Sequence, residues 1–337
     1  METKKLLRAA IVGCGVICGT HLPLLEKEEG VELVAVCDID EDAARKAARA
    51  CKGEVSIYSD YVEMLERERP DAVHILTPHH LHAPMALAAM ERGIHVLLEK
   101  PIALTTADAR RLDACAKEKG VALCICYQNR TNPQVLLARR IIEEDGGVEA
   151  AYAAVVWNRD AAYYQSAPWR GKWATEGGGV LINQAIHTID LLAFFIGNPT
   201  FVCGNIANHH LKDSIEVEDS AMATITFSNG VIANLYATTA HGGCDEIDVF
   251  LRTKHRTVRL TATDLFVDGE RMELDTSGTC GTKPCYGMGH SILIPAFYRA
   301  IREGTPVPVS AEAATASLSI LLGIYQSNGE TVRLANG

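Results

Sequence analysis

The first 126 residues alternate short apolar runs with amphipathic stretches, joined by short connections, and that regularity calls for a doubly wound parallel sheet. Residues 6–12, 31–37, 55–58, 71–76, 94–98 and 121–126 read as strands; 18–28, 41–51, 60–67, 83–92 and 105–119 read as the helices between them. Strands covered by helices on both faces are apolar on both sides, as these runs are. In an open sheet of this kind ligands bind just outside the carboxyl ends of the strands. Those ends are where functional side chains are to be sought.

The first strand runs directly into Gly13-Cys14-Gly15-Val16-Ile17-Cys18-Gly19. This matches G-x-G-x-x-G at its first two glycines, with Cys18 in the third place. Gly13 permits the tight turn and Gly15 the close approach of a pyrophosphate. The helix that follows offers free N–H groups and the positive end of its dipole to the phosphates. The second strand ends at Asp38, where a carboxylate can accept from both ribose hydroxyls and repel a 2′-phosphate, so NAD is expected over NADP. An acid ahead of a helix N-terminus is the plain structural alternative.

Ile94, Val96, Leu97 and Leu98 form a buried-strand pattern that stops abruptly at Glu99-Lys100-Pro101. Pro101 ends the ladder by removing a donor. Lys100 then stands where a functional group belongs; the alternative is a solvated lysine capping a strand. Another strand ends in Thr77-Pro78-His79-His80-Leu81-His82, which reads as cofactor contact rather than metal ligation. His74 and His95, inside apolar strands, read as structural histidines.

Composition excludes several classes. Of 337 residues 48% are hydrophobic, and the formal charge of -10 argues against a nucleic-acid surface, which needs a basic stripe. No apolar run approaches the ~18 residues of a membrane span. The first residues, Met1-Glu2-Thr3-Lys4-Lys5, carry no long apolar leader, so the cytoplasm is expected. The 11 cysteines are odd in number and form no C-x-x-C pair, which fits reduced thiols. Cys280, Cys285 and His290 match no zinc spacing, and no metal is expected.

After residue 127 the texture changes. A helix over 132–144 and a strand over 151–159 precede a run of strands at 221–227, 231–238, 246–252, 256–261 and 265–274; helices over 292–302 and 311–325 follow. Ser228-Asn229-Gly230 is a tight hairpin signal, and Asp268-Gly269 interrupts the last strand. The expected architecture is α/β: an N-terminal Rossmann domain over 1–126, and a C-terminal α/β domain over 127–337 with an open, mainly antiparallel sheet. Such a sheet leaves one face to cover, commonly by a second copy. Within this half Trp169-Arg170-Gly171-Lys172-Trp173 leads to Gly177-Gly178-Gly179 and then to an apolar helix. Asn183, His187 and Asp190 are spaced i, i+4, i+7 and share a face of that helix. A polar stripe on so apolar a helix needs buried partners or a ligand.

The glycine turn, Asp38, Thr77-Pro78 with His82, Glu99-Lys100-Pro101, Trp169-Arg170 and Gly-Gly-Gly…His187-x-x-Asp190 occur in the order found in the glucose–fructose oxidoreductase, inositol dehydrogenase and rhizopine-catabolism (Gfo/Idh/MocA) family, which the whole chain resembles. The resemblance implies a nicotinamide cofactor, oxidation or reduction of a secondary hydroxyl of a sugar, glycoside or cyclic polyol, and homodimers or homotetramers. By position, Gly13, Gly15, Val16, Ile17 and Asp38 would hold the pyrophosphate and adenosine. Thr77, His82, Glu99, Lys100, Gln128, Trp169 and Arg170 would surround the nicotinamide end. Lys100 and His187 would be catalytic, with Asn183 beside them. Many members carry Asp where this chain has Asn183; Asn there is similar to the branch acting at the 3-hydroxyl of pyranoses. Asn orients a hydroxyl but takes no proton, so an Asp–His relay is not expected. His187, with an ordinary pKa of about 6.5, suits the base, and Lys100 can stabilise charge on the same oxygen or share the proton. Tyr163, Tyr164, Arg130, Lys172, His241 and Tyr286 are candidate pocket residues. Two other readings of these residues are a glycoside-cleaving enzyme that oxidises its substrate transiently and a non-catalytic NAD- or sugar-sensing protein.

Overall fold

A computed structural model describes residues 6–241, 246–274 and 287–334, in two compact units. The alternation of the first 126 residues folds as β1 (Leu7–Val12), α1 (Cys18–Leu25), β2 (Val31–Cys37), α2 (Glu41–Arg49), β3 (Ser56–Tyr58), α3 (Tyr61–Glu68), β4 (Ala72–Ile75), α4 (His82–Met90), β5 (His95–Leu98), α5 (Thr106–Lys119) and β6 (Leu123–Ile125). The six strands are parallel in the order β3-β2-β1-β4-β5-β6. Sequence order reverses between β1 and β4, which makes their carboxyl ends the switch point where such sheets bind ligands. Register aligns those ends: Val12 pairs with Cys37 and Ile75, Ile75 with Leu98, and Leu98 with Ile125. The residues that follow each, Gly13, Asp38, Leu76, Glu99 and Cys126, therefore share one rim. Side chains start the helices: Asp40 accepts from Asp42 and Ala43 N–H, and Asp60 from Val62 and Glu63 N–H, capping α2 and α3.

The second unit opens with α6 (Pro133–Glu144), β7 (Val148–Val156) and α7 (Ala161–Gln165); a π turn, Leu181–Ala185, leads into α8 (Ile186–Ile196). Then come β8 (Pro199–Ala207), β9 (Ser220–Phe227), β10 (Ile232–Thr238), β11 (Glu246–Thr253), β12 (Thr257–Thr261), β13 (Leu265–Val267) and β14 (Glu270–Arg271). After α9 (Gly289–Glu303) the chain ends in α10 (Ala311–Ser327) and β15 (Val332–Arg333). The sheet order is β14-β13-β12-β11-β7-β10-β9-β8-β15, antiparallel except where β10 meets β7. Alternation buries Ala223, Ile225 and Leu235 on one face and exposes Met222, Thr224, Ile232, Asn234 and Tyr236 on the other. One late helix does not stay with its neighbours in sequence. Helix α9 belongs to the first unit, packed on α1, and just beyond it the Val309 carbonyl accepts the Ile125 N–H at 3.1 Å.

Candidate functional site

At the switch point Gly13 has φ +96°, and a Cβ there would lie 2.7 Å from the Leu76 carbonyl carbon and oxygen. Only glycine fits so near β4. A Cβ on Gly15 would meet no atom within 4 Å, so the turn presents open space where the sequence expects a pyrophosphate. Ile17, ahead of α1, makes no side-chain cap; the N–H groups of Cys18, Gly19 and Thr20 turn instead to the carbonyls of Gly15, Val16 and Ile17 at 3.1, 3.2 and 2.9 Å. Asp38 accepts the Cys14 N–H at 2.7 Å and the Asp40 N–H at 2.9 Å, bracing the glycine turn against the end of β2. Val16 is 77% and Ile39 90% exposed, two apolar side chains beside this rim. Ile39 is a candidate adenosine contact that the sequence reading passed over; a large apolar residue directly after the acid was its signal. The open glycine turn, exposed apolar pair and carboxylate suit a dinucleotide.

Further along the rim, His82 is wholly buried, its Nδ1 2.7 Å from the Pro101 carbonyl and its Nε2 2.8 Å from that of Thr77. The ring thus ties the β4 and β5 loops together, and burial pushes its pKa down against the pull of the two carbonyls. It presents no face to a ligand. The Thr77 hydroxyl reaches Met85 sulfur at 3.5 Å, and the Lys100–Pro101 peptide is cis. Gln128 is buried, its carbonyl so close to Gly289 that a side chain there has no room. Glu99 is buried as well. Its Oε1 lies 3.1 Å from His21 Nε2 and 3.6 Å from His290 Nε2, and its Oε2 accepts the Lys100 N–H at 3.2 Å. Ligand atoms of His21, Glu99 and Cys126 fall within 4.8 Å of one another, a spacing a metal could use. Both His21 nitrogens are engaged by Glu99 and His74, and burial with the Glu99 charge pushes the Cys126 thiol well up, so hydrogen bonds already meet this donor set.

In the second unit, the Arg170 guanidinium lies 4.5 Å from the Tyr163 ring centre and 4.7 Å from that of Trp169, and donates to the Tyr163 hydroxyl at 2.6 Å. Arg159 stacks on Trp157 and on Tyr163. Burial pushes the Tyr163 pKa up. Glu176, wholly buried, accepts the Gly171 N–H at 2.5 Å and the side-chain amide of Asn183, whose nitrogen also points to the Tyr163 oxygen at 3.5 Å. Holding the nitrogen there turns the Asn183 carbonyl oxygen the other way. Glu176 is thus the carboxylate that residue 183 lacks, and nothing in its local sequence singles it out.

The helix below is pinned by Glu218, which accepts from Gly179 N–H at 2.9 Å, Leu181 N–H at 3.0 Å and the Tyr325 hydroxyl at 2.8 Å. Burial pushes Glu218 up to about 7. Between residues 178 and 193 only Asn183 and His187 are not buried, so they open from this run together. The expected three-residue stripe divides there. Asp190 is wholly buried and belongs to the core: Arg130 bonds both its oxygens at 2.7 Å and Ser317 donates at 2.7 Å. The π turn widens the spacing on which the i, i+4, i+7 argument rested. Arg130 is accordingly an ion-pair partner, and Tyr164 lies in an apolar cluster with Leu211, Ile215 and Val217. Lys172 and His241 are exposed. Tyr286, Cys280 and Cys285 lie outside the described residues.

A parallel sheet with a glycine turn at its switch point and an acid at the end of its second strand defines a dinucleotide-binding oxidoreductase class. Residues 7–127 match the oxidoreductase family with an NAD-binding Rossmann fold, and residues 135–274 match the GFO/IDH/MocA C-terminal domain. The chain belongs to the GFO/IDH/MocA family of NAD-binding oxidoreductases. It is 30% identical over 230 residues to a D-apiose dehydrogenase of Paraburkholderia graminis, a match covering 68% of this chain and 60% of that one. A D-glucoside 3-dehydrogenase of Escherichia coli is 29% identical over 249 residues, covering 68% and 69%. The crystal structure of the WlbA dehydrogenase from Bordetella pertussis, in complex with NADH and UDP-GlcNAcA, superposes with a TM-score of 0.87 at 27% identity over 99% of each chain. The match thus spans less than two thirds of the apiose enzyme's length.

Proposed function

We propose that this protein transfers hydride between NAD and a secondary hydroxyl or ketone of a sugar, glycoside or cyclic polyol, the 3-position of a pyranose being the favoured target. The observation that carries the proposal is the presence, within one NAD-binding family chain, of both Lys100 at a strand's carboxyl end and an accessible Asn183 and His187 on an otherwise buried helix. Gly13, Gly15, Val16, Ile17, Asp38 and Ile39 would bind the cofactor's phosphates and adenosine, and Thr77, Glu99, Gln128, Trp169 and Arg170 its nicotinamide end; His82 would shape that end from behind. Bound NAD supplies the hydride acceptor. His187 takes the hydroxyl proton at an imidazole nitrogen as the carbonyl forms. Lys100 donates a hydrogen bond to that oxygen, and the Asn183 carbonyl oxygen accepts from a neighbouring hydroxyl. Relatives named for apiose and for the 3-position of glucosides support the substrate class.

The test is NADH formation across inositols, free pyranoses, glycosides and nucleotide sugars. On the substrate so found, Lys100→Ala and His187→Ala each lose about 10²–10⁴-fold in kcat, while NAD affinity stays within a few-fold. Near-normal turnover by Lys100→Ala defeats the assignment. Aglycone release without net NADH would show transient oxidation instead, and tight NAD binding without turnover would show a sensor.

A homo-oligomer built on the outer face of the nine-stranded sheet completes the reading. Tyr152, Met222, Ile232 and Tyr236 are 45–58% exposed there, an apolar face suited to a second copy. Paired Met222→Glu and Tyr236→Glu substitutions should shift light-scattering mass to the monomer. Among the described residues no helix is long and apolar enough to cross a membrane. The eight described cysteines are free thiols, which suits the cytoplasm.

A further inference from the structure

Beneath Glu99 and Lys100 runs a buried line of polar side chains drawn from several elements of the first unit. From the Glu99 oxygen it passes to His21 of α1 at 3.1 Å. It continues from His21 Nδ1 to Nδ1 of His74 in β4 at 3.0 Å, and from His74 Nε2 to the Tyr298 hydroxyl of α9 at 2.9 Å. His21, His74 and Tyr298 are wholly shielded from solvent. Their rings touch edge to edge or stack, His21 on His74 at 5.2 Å and His74 on Tyr298 at 5.9 Å.

Counting protons assigns every bond a direction. A neutral imidazole has one donor and one acceptor nitrogen, and a carboxylate only accepts. His21 must then donate from Nε2 to Glu99, which leaves its Nδ1 to accept from His74 Nδ1–H. His74 Nε2 in turn accepts from the Tyr298 hydroxyl. With the Tyr298 hydroxyl protonated, as its burial keeps it, any other arrangement that keeps all three bonds carries one proton more, on Glu99 or on an imidazole. Burial pushes His21 down and His74 well below the ordinary imidazole value, while bonds from His21 and His290 hold Glu99 well below the carboxylate range despite its burial. The chain settles in its proton-poor form, every donor aimed at Glu99.

We propose that His21, His74 and Tyr298 are positioning residues that hold Glu99 as a carboxylate, and that this carboxylate keeps the adjoining Lys100 an ammonium. The inference rests on the reading of Lys100 as the hydrogen-bond donor to the reacting oxygen, and it gives the role of base to His187. The groups facing Glu99 are consistent with it. His21 lies on α1, His82 on α4, Cys126 past β6 and His290 on α9, and the Lys100 backbone N–H donates to Glu99 at 3.2 Å. None is an acid, and the Cys126 thiol is held protonated. On its far side Tyr298 faces Glu28 and Arg302, which pair with each other at 3.1 Å.

Nitrogen-15 spectra of the histidine-labelled, NAD-loaded protein test the polarity without any variant. The expected result is His21 protonated on Nε2 and His74 on Nδ1, with neither ring titrating between about pH 6 and 9. A second measurement follows Lys100 through its labelled side-chain carbon in wild type, Glu99→Gln and Tyr298→Phe. Its midpoint should fall by about one pH unit or more in Glu99→Gln, a tenfold change in ionisation constant, and by less in the same direction in Tyr298→Phe. A purely structural role would lower the melting temperature and leave that midpoint in place. His74 protonated on Nε2, or an unmoved Lys100 midpoint in Glu99→Gln, overturns the proposal. Neither readout needs turnover, so a protein that oxidises no sugar but passes both retains the chain and loses only the reaction.

Discussion

The two units bury ionisable groups for opposite ends. In the first, His21, His74 and Glu99 neutralise one another's demands along a line of hydrogen bonds, and the pKa of each of these three is shifted so that acid disrupts the line. In the second, buried carboxylates staple irregular loops by collecting backbone N–H groups. Glu218 holds Gly179 and Leu181, Asp219 gathers the N–H groups of His209, His210 and Leu211, and Glu176 takes that of Gly171. Glu218 accepts so many bonds yet is still pushed up to about 7 by burial. Linkage then gives the units opposite pH responses. The depressed groups of the first contribute stability at neutral pH that is lost as pH falls, below the ordinary 6.5 for the imidazoles and 4.5 for Glu99. The raised Glu218 contributes stability that is complete below 4.5 and lost as pH rises through about 7.

The contrast can be broken by substitution. The largest effect should come from Gly13→Ala, which drives a methyl into the Leu76 backbone at a left-handed position and should cost on the order of 3–4 kcal/mol in urea melts. Gly15→Ala, facing open space, should leave stability within about 0.5 kcal/mol and weaken NAD binding instead; equal instability in both would mean the open space is not a ligand site. Next, Glu218→Gln should remove a pH-dependent loss on the order of 3 kcal/mol between pH 4.5 and about 7. If the stability–pH slope of that variant matches wild type, the carboxylate is not the source of the alkaline sensitivity. The smallest effect is expected of Ile39→Ser, which should weaken NAD binding by a few-fold to about tenfold in calorimetry and leave the melting temperature unchanged.

What could be read in advance was what local geometry compels. The alternation of strands and helices, the glycine turn and the hairpin at Ser228-Asn229-Gly230 each follow from short stretches whose backbone demands leave little choice. Lys100 stood out because a charge ended an apolar run. The partners that complete the candidate site were hidden by distance along the chain. His74 reads as a structural histidine from its apolar strand alone, but its hydroxyl partner is Tyr298, 224 positions away. Glu176 looks like an ordinary loop acid until the fold closes Gly171 and Asn183 around it. Asp190 misled for a related reason: periodicity shows which face a residue shares, not whether Arg130 waits in the core to neutralise it.

Helix α9 also sets a schedule for the growing chain. The six strands of the first sheet are complete by Ile125, yet His290 and Tyr298 enter only with residues 289–303. A nascent chain ending near residue 128 has made its whole nucleotide-binding sheet and still lacks the hydroxyl that closes the line beneath Glu99. Until α9 has left the ribosome, His74 must stay wet or borrow a temporary partner. Completion of the first unit is thereby tied to the synthesis of α9, after β7 to β14 have been made, and chains cut short before α9 should be the ones that chaperones hold and proteases remove.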